Sequence, residues 1–177
     1  MRLLITLFLL LTFTATAEAQ TNRELGLRAT GLNNGSLLYR VEQANGKWRR
    51  LHFGFADLTF STSQGFANGG LSLGLAVGWE NRRRLADRLE LLHGWEPFAS
   101  LTFVTSGNGS AAAIAGGVGY VVGAQYTLSE HFYMGLEITP AVTAMLNEVG
   151  NATRLSIDAG IDLRSVALTA VYRFTTE

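Results

Sequence analysis

The chain has 177 residues, 20 of them Gly and two Pro, with nearly half of all residues apolar and 16% charged. That is one domain's worth of chain and is too apolar for disorder. Fourteen basic residues cancel fourteen acidic ones, which excludes an overall field toward nucleic acid, and the lack of Cys excludes disulfides, thiolate catalysis and Cys-bound metal.

In chain order, the first segment is a processing signal. It has one Arg, an apolar run from Leu3 to Leu11, and small residues ending Ala17-Glu18-Ala19. This length and A-x-A ending predict a secretory signal peptide over 1–19, cleaved to leave a domain over 20–177. A membrane anchor would need about 20 apolar residues. Cleavage removes Arg2 and Glu18 together, so the mature charge stays zero.

Beyond the signal the apolar period is two, not 3.6. Strands are predicted at 24–32, 36–43, 48–60, 69–80, 89–105, 112–128, 131–146 and 154–174. The breaks are rich in Asn and Gly, as in Asn33-Asn34-Gly35, Asn45-Gly46, Asn68-Gly69-Gly70, Gly107-Asn108-Gly109 and Gly150-Asn151, which tolerate positive φ. In the fourth strand Leu71, Leu73, Leu75, Val77 and Trp79 alternate with Ser72, Gly74, Ala76, Gly78 and Glu80. The sixth puts large residues on even numbers from Val118 to Tyr126, and the seventh alternates from Phe132 through Pro140 to Ala144. In the eighth the apolar set changes parity between Asp162 and Ser165, read as a bulge or as the border of an extramembrane ribbon. It then closes as VALTAVYRF.

The two faces of these strands have unusual contents. One is aliphatic and aromatic throughout; the other is Gly, Ala, Ser and Thr with single charges at Arg28, Arg40, Glu42, Glu80, Glu96, Glu137 and Arg173. A soluble sandwich would stud its polar face with Lys, Glu and Asn. A closed eight-stranded antiparallel up-and-down barrel explains the pattern better, with apolar residues outward in lipid and small or paired charged residues inward. Outward aromatics near one set of turns, namely Trp79, Tyr126, Phe132, Tyr172 and Phe174, predict an interfacial girdle. A lone charge in a narrow lumen costs several kcal/mol. Arg28, Arg40 and Arg173 are therefore expected to pair with Glu80, Glu96 and Glu137 as a neutral plug, with a narrow pore as the alternative. An even strand count with periplasmic chain ends puts 32–35, 61–68, 106–110 and 147–153 outside the cell.

The signal peptide, the eight alternating strands and the last strand ending in VYRF resemble the small outer-membrane β-barrels of the OmpA/OmpX-like type. The resemblance implies a diderm outer membrane, surrounding lipid, and recognition of the C-terminal strand by the barrel-assembly machinery. It also implies a monomer with a structural or surface-interaction role, possible extracellular ligands at the loops, no nucleic acid and no cofactor. Its lipid-modifying enzymes make catalysis the competing reading, although their His- and Ser-bearing motif is not found here. A soluble secreted barrel holding an apolar ligand is the other competitor.

Remaining polar features are weighed as follows. His52, His93 and His131 lack the spaced carboxylates of a metal site. Ser129-Glu130-His131 is too local to assemble a nucleophile, a base and an orienting acid. The runs Lys47-Trp48-Arg49-Arg50 and Arg82-Arg83-Arg84 read as solvated turns, with contact to an acidic partner or lipid headgroups as the functional alternative. The three N-x-S/T sites, at Asn34, Asn108 and Asn151, read as turn chemistry.

Overall fold

In a computed structural model of the chain, residues 21–30, 34–63, 66–106, 109–149, 152–160 and 166–176 are described. The predicted signal peptide and the register fault at 162–165 lie outside them. The described residues form strands joined in antiparallel pairs, labelled β1 (Thr21–Thr30), β2 (Asn34–Glu42), β3 (Trp48–Ser63), β4 (Phe66–Ala86), β5 (Leu89–Ser106), β6 (Gly109–Thr127), β7 (Phe132–Ile138), β8 (Ala141–Val149), β9 (Ala152–Gly160) and β10 (Val166–Thr176).

These ten segments make eight staves. β6 pairs through 122–127 with β7 and through 111–119 with β8, so β7 and β8 are two halves of one stave. In the same way β8 pairs with β9 and β7 with β10, making β9 and β10 the last stave. β10 pairs with β1 and β5 with β6, which closes the ring. The division of the seventh stave corrects the continuous strand expected over 131–146. The strand is interrupted at Thr139 and Pro140: Pro140 has no N–H to donate, although its carbonyl still accepts the Tyr120 N–H at 2.9 Å.

The side-chain alternation that motivated a barrel is obeyed with the bulky set outside. β7 alternates exposed and buried residue by residue. In β10, Leu168 keeps 59% of its surface while Thr169 keeps 1%. Leu25, Leu27, Leu37, Leu51, Leu73, Val118 and Leu136 are exposed too. So many contiguous large apolar residues on the outside of a closed sheet require an apolar surrounding. This overturns the soluble barrel with an apolar interior, whose bulky residues would point inward.

One end of the barrel, here the near end, holds Thr21, Thr176 and the turns at 43–47 and 87–88. The turn at 43–47 uses Gly46 at φ 75, a conformation that glycine adopts without steric cost. At the far end the rim is uneven. β2 pairs with β3 only up to Gly35 opposite Phe55, whereas β4–β5 pairing continues to Gly69 opposite Thr105, and β6–β8 to Ala111 opposite Val149. β3–β6, β8 and β9 therefore project beyond the short β1–β2 hairpin. The expected outer loop at 61–68 is accordingly shorter, because 61–63 and 66–68 belong to β3 and β4. Asn68-Gly69-Gly70 runs within β4 rather than forming a turn.

Candidate functional site

The lumen holds the densest chemistry of the molecule, and strand parity delivers it. Even residues of β1 to β5 and odd residues of β6, β7 and β10 point inward. Inward glycines make room for long side chains: a Cβ on Gly78 would lie 2.8 Å from Arg50 Cγ, and one on Gly123 would lie 2.9 Å from Glu137 Cγ.

Two guanidiniums with no exposed surface form the centre. Arg50 reaches Glu80 at 3.0 Å, Glu96 at 2.7 Å and Glu137 at 2.7 Å. Arg40 contacts Glu137, lies 3.4 Å from Glu80 and 3.3 Å from Glu24, and donates to Gln125 Oε1 at 2.8 Å. Above them, toward the far end, Arg28 meets Glu137 at 3.4 Å and donates to Thr139 Oγ1, while His52 sits 3.3 Å from Glu96. Below them Glu24, fully buried, takes Arg82 at 2.7 Å and Arg173 at 2.7 Å. Arg82 also holds Glu80 at 2.6 Å, and its guanidinium lies 3.6 Å over the Trp48 ring; Arg173 stacks 4.0 Å over Tyr133. Glu90 completes the cluster at 3.9 Å from Arg82 and 3.8 Å from Arg173. Glu24, Glu80, Glu137, Arg40 and Arg50 thus each face three opposite charges, the condition under which charges survive in a low dielectric.

The structure places Arg28, Arg40, Glu80, Glu96 and Glu137 in this one cluster. Arg173 also faces the lumen, but its partners are Glu24 and Glu90 rather than the three expected carboxylates. Glu42 instead accepts from Asn22 Nδ2 at 2.5 Å. Sequence reasoning missed Glu24, Arg50, His52, Arg82, Glu90 and Gln125 as members. Parity alone would have found Glu24 and Arg50, each inside a predicted strand on the small-residue face. Arg82 was lost because the fourth strand was ended at Glu80; β4 runs on to Ala86, so the solvated-turn reading of Arg50 and Arg82 is corrected.

Among the expected girdle aromatics, Tyr172 lies opposite Phe132, and Phe174 opposite Arg23, all near the near end. Tyr126 is exposed on β6, opposite Met134. Trp79, exposed on β4, lies opposite Arg49 on one side and Trp95 on the other, and Trp95 packs edge-on against Tyr120 at 4.8 Å. His93 points outward, 3.1 Å from Tyr120 Oη. Ser129 Oγ accepts the Phe132 N–H at 3.2 Å, closing the turn, and the His131 carbonyl accepts the Arg173 N–H at 2.7 Å, tying the turn to β10.

Above the ion cluster the lumen opens into a cavity of about 760 Å³ facing the far end, walled by Ser36, Ser72, Phe98 and Ser100 and floored by His52 and Glu96.

No protein-family model and no curated protein sequence matches the chain. Solved structures do. A major outer membrane protein from Thermus thermophilus superposes with a TM-score of 0.56 at 13% identity, over 88% of this chain and 100% of that one. Ail, the attachment invasion locus protein of Yersinia pestis, superposes with a TM-score of 0.50 at 16% identity, over 89% of this chain and 100% of that one. The near-complete coverage at such low identity, together with the lipid-facing exterior and the closed ring of eight staves, gives this chain the fold of the small OmpA/OmpX-like outer-membrane β-barrels.

Proposed function

We propose that this outer-membrane barrel is a non-conducting monomer with no catalytic role, whose work is done at its far end by surface interaction or by structural support of the envelope. The observation that carries the reading is the lumen. Arg40, Arg50, Glu24 and Glu137 have no exposed surface and interlock across it. Ions would have to break several charge-assisted contacts to pass, and eight staves leave little additional width. The cavity above this cluster and the projecting strands β3–β6, β8 and β9 present side chains away from the membrane, where an extracellular ligand could be held. The Yersinia pestis structural neighbour is an attachment invasion locus protein, which favours the interaction role. Assembly is read as proceeding through the C-terminal strand, with Tyr172 and Phe174 offered to the barrel-assembly machinery.

Planar-bilayer recording of the purified protein tests the closed lumen. No steady conductance is expected from the wild type. Discrete, charge-selective openings in the wild type, enlarged by Glu137→Ala, would instead assign the chain to transport.

A further inference from the structure

The two basic runs are split by the sheet: Arg50 and Arg82 go into the lumen, while Arg49 and Arg83 go out. Together with Arg23 they leave three outward arginines near one end of the barrel. Arg23 and Arg49 belong to a single row along the hydrogen-bonding direction. Arg23 lies opposite Phe174 on one side and Val41 on the other, Val41 lies opposite Arg49, and Arg49 lies opposite Trp79. The row therefore reads aromatic, cation, aliphatic, cation, aromatic across the five neighbouring strands β10, β1, β2, β3 and β4. Two strand spacings put the arginine backbones about 10 Å apart, close enough for both guanidiniums to reach one phosphate between them.

None of these three arginines has an ion pair among the described residues, in contrast to the five that face the lumen. No acidic residue occupies an outward position of β1–β4 between the row and the near-end turns, and the only carboxylate at the β4–β5 turn, Asp87, is held by Arg84 at 3.3 Å. Next along the same face come Leu25, Leu51 and Phe53, which are exposed and lipid-facing. Side chains in that position bury their stems in the hydrocarbon and present their charge at headgroup depth.

We infer that Arg23 and Arg49 form a binding site for the phosphate of an anionic phospholipid in the leaflet at the near end of the barrel. A guanidinium matches phosphate with paired N–H donors, and the lipid's net negative charge meets no opposing carboxylate on this face. The apolar residues alternating with the arginines fit the acyl chains of that lipid, which an acidic protein partner would not supply.

The test is spin resonance of chain-labelled phosphatidylglycerol and phosphatidylcholine with the full mature protein in phosphatidylcholine vesicles. At low salt the anionic lipid is expected at the barrel surface about fivefold or more above the zwitterionic one, since each interfacial arginine contributes about that factor. R23Q/R49Q is expected to bring the ratio near one, and R23K/R49K to retain part of it. K47Q/R88Q, which removes charge from the turns only, is expected to leave it unchanged. Should the double Gln variant fail to fold on a heat-shift gel, the single R49Q and a salt titration of the wild type decide. Selectivity is expected to vanish at about 1 M salt, where the Debye length is about 3 Å. Equal association of the two lipids with the wild type overturns the inference. So does selectivity that R49Q leaves undiminished, that survives high salt, or that is lost equally in K47Q/R88Q.

Discussion

Glu137, like Glu24 and Glu80, serves three guanidiniums at once: it receives Arg28, Arg40 and Arg50 with no surface exposed to water. Glu137→Gln leaves those guanidiniums one charge short and is expected to destabilise the barrel by about 3–5 kcal/mol, read from urea unfolding in lipid vesicles. A loss below about 1 kcal/mol would mean that water replaces the carboxylate. Gly78 tests packing rather than charge. Its missing Cβ is the space taken by the Arg50 stem, with the Trp95 carbonyl also 2.8 Å away. Gly78→Val is expected to cost about 1–3 kcal/mol through overpacking, in the same unfolding assay. The two substitutions act on one arginine from opposite sides, so their effects in the double variant are expected to be non-additive.

At the scale of the strand, one residue's parity decides its solvent. Leu73 is exposed on β4, while Ser72 beside it faces inward and hydrogen-bonds Thr102 Oγ1 at 2.8 Å. Leu73→Arg is expected to cost about 2–4 kcal/mol by placing a charge in hydrocarbon. Ser72→Arg enters the cavity above the ion cluster instead, and its cost is expected to come from crowding and to be insensitive to lipid thickness. Spin labels at 73 and 75 are expected to report lipid and labels at 72 and 74 to report the lumen; the reverse would invert the sheet. Charged runs obey the same rule, which is why Arg82 and Arg83, adjacent in sequence, end in different media.

For the whole molecule, the near and far ends are chemically distinct. The near end carries the short turns and the outward arginines; the far end carries the projecting strands and the mouth of the cavity. On the proposed topology, which puts the chain ends in the periplasm, Ser110→Cys at the start of β6 is expected to react with a membrane-impermeant maleimide on intact cells. Arg83→Cys is expected to react only after the outer membrane is opened. Labelling of Arg83→Cys on intact cells would reverse the topology and transfer the proposed interaction surface to the other end.

Composition and a two-residue period were enough to determine that this chain makes an inside-out barrel, because lipid outside and a narrow lumen inside demand opposite contents on alternate residues. The eight-stave count and the inward charges Arg40, Glu80, Glu96 and Glu137 followed from that local rule. Which charges meet did not follow. Arg50 contacts carboxylates on β4, β5 and β7, and Glu24 contacts arginines on β2, β4 and β10. Such partners are set by stagger between staves and by closure of the ring, neither of which is written in any one strand. The break at Thr139–Pro140 was visible as a proline, yet the alternation on either side disguised it. The end of β4 was misplaced because three consecutive arginines look solvated until a neighbouring strand shows that the first of them, Arg82, is enclosed. Parity is a property of the backbone and can be read along the chain, whereas pairing across the lumen exists only once the sheet has closed.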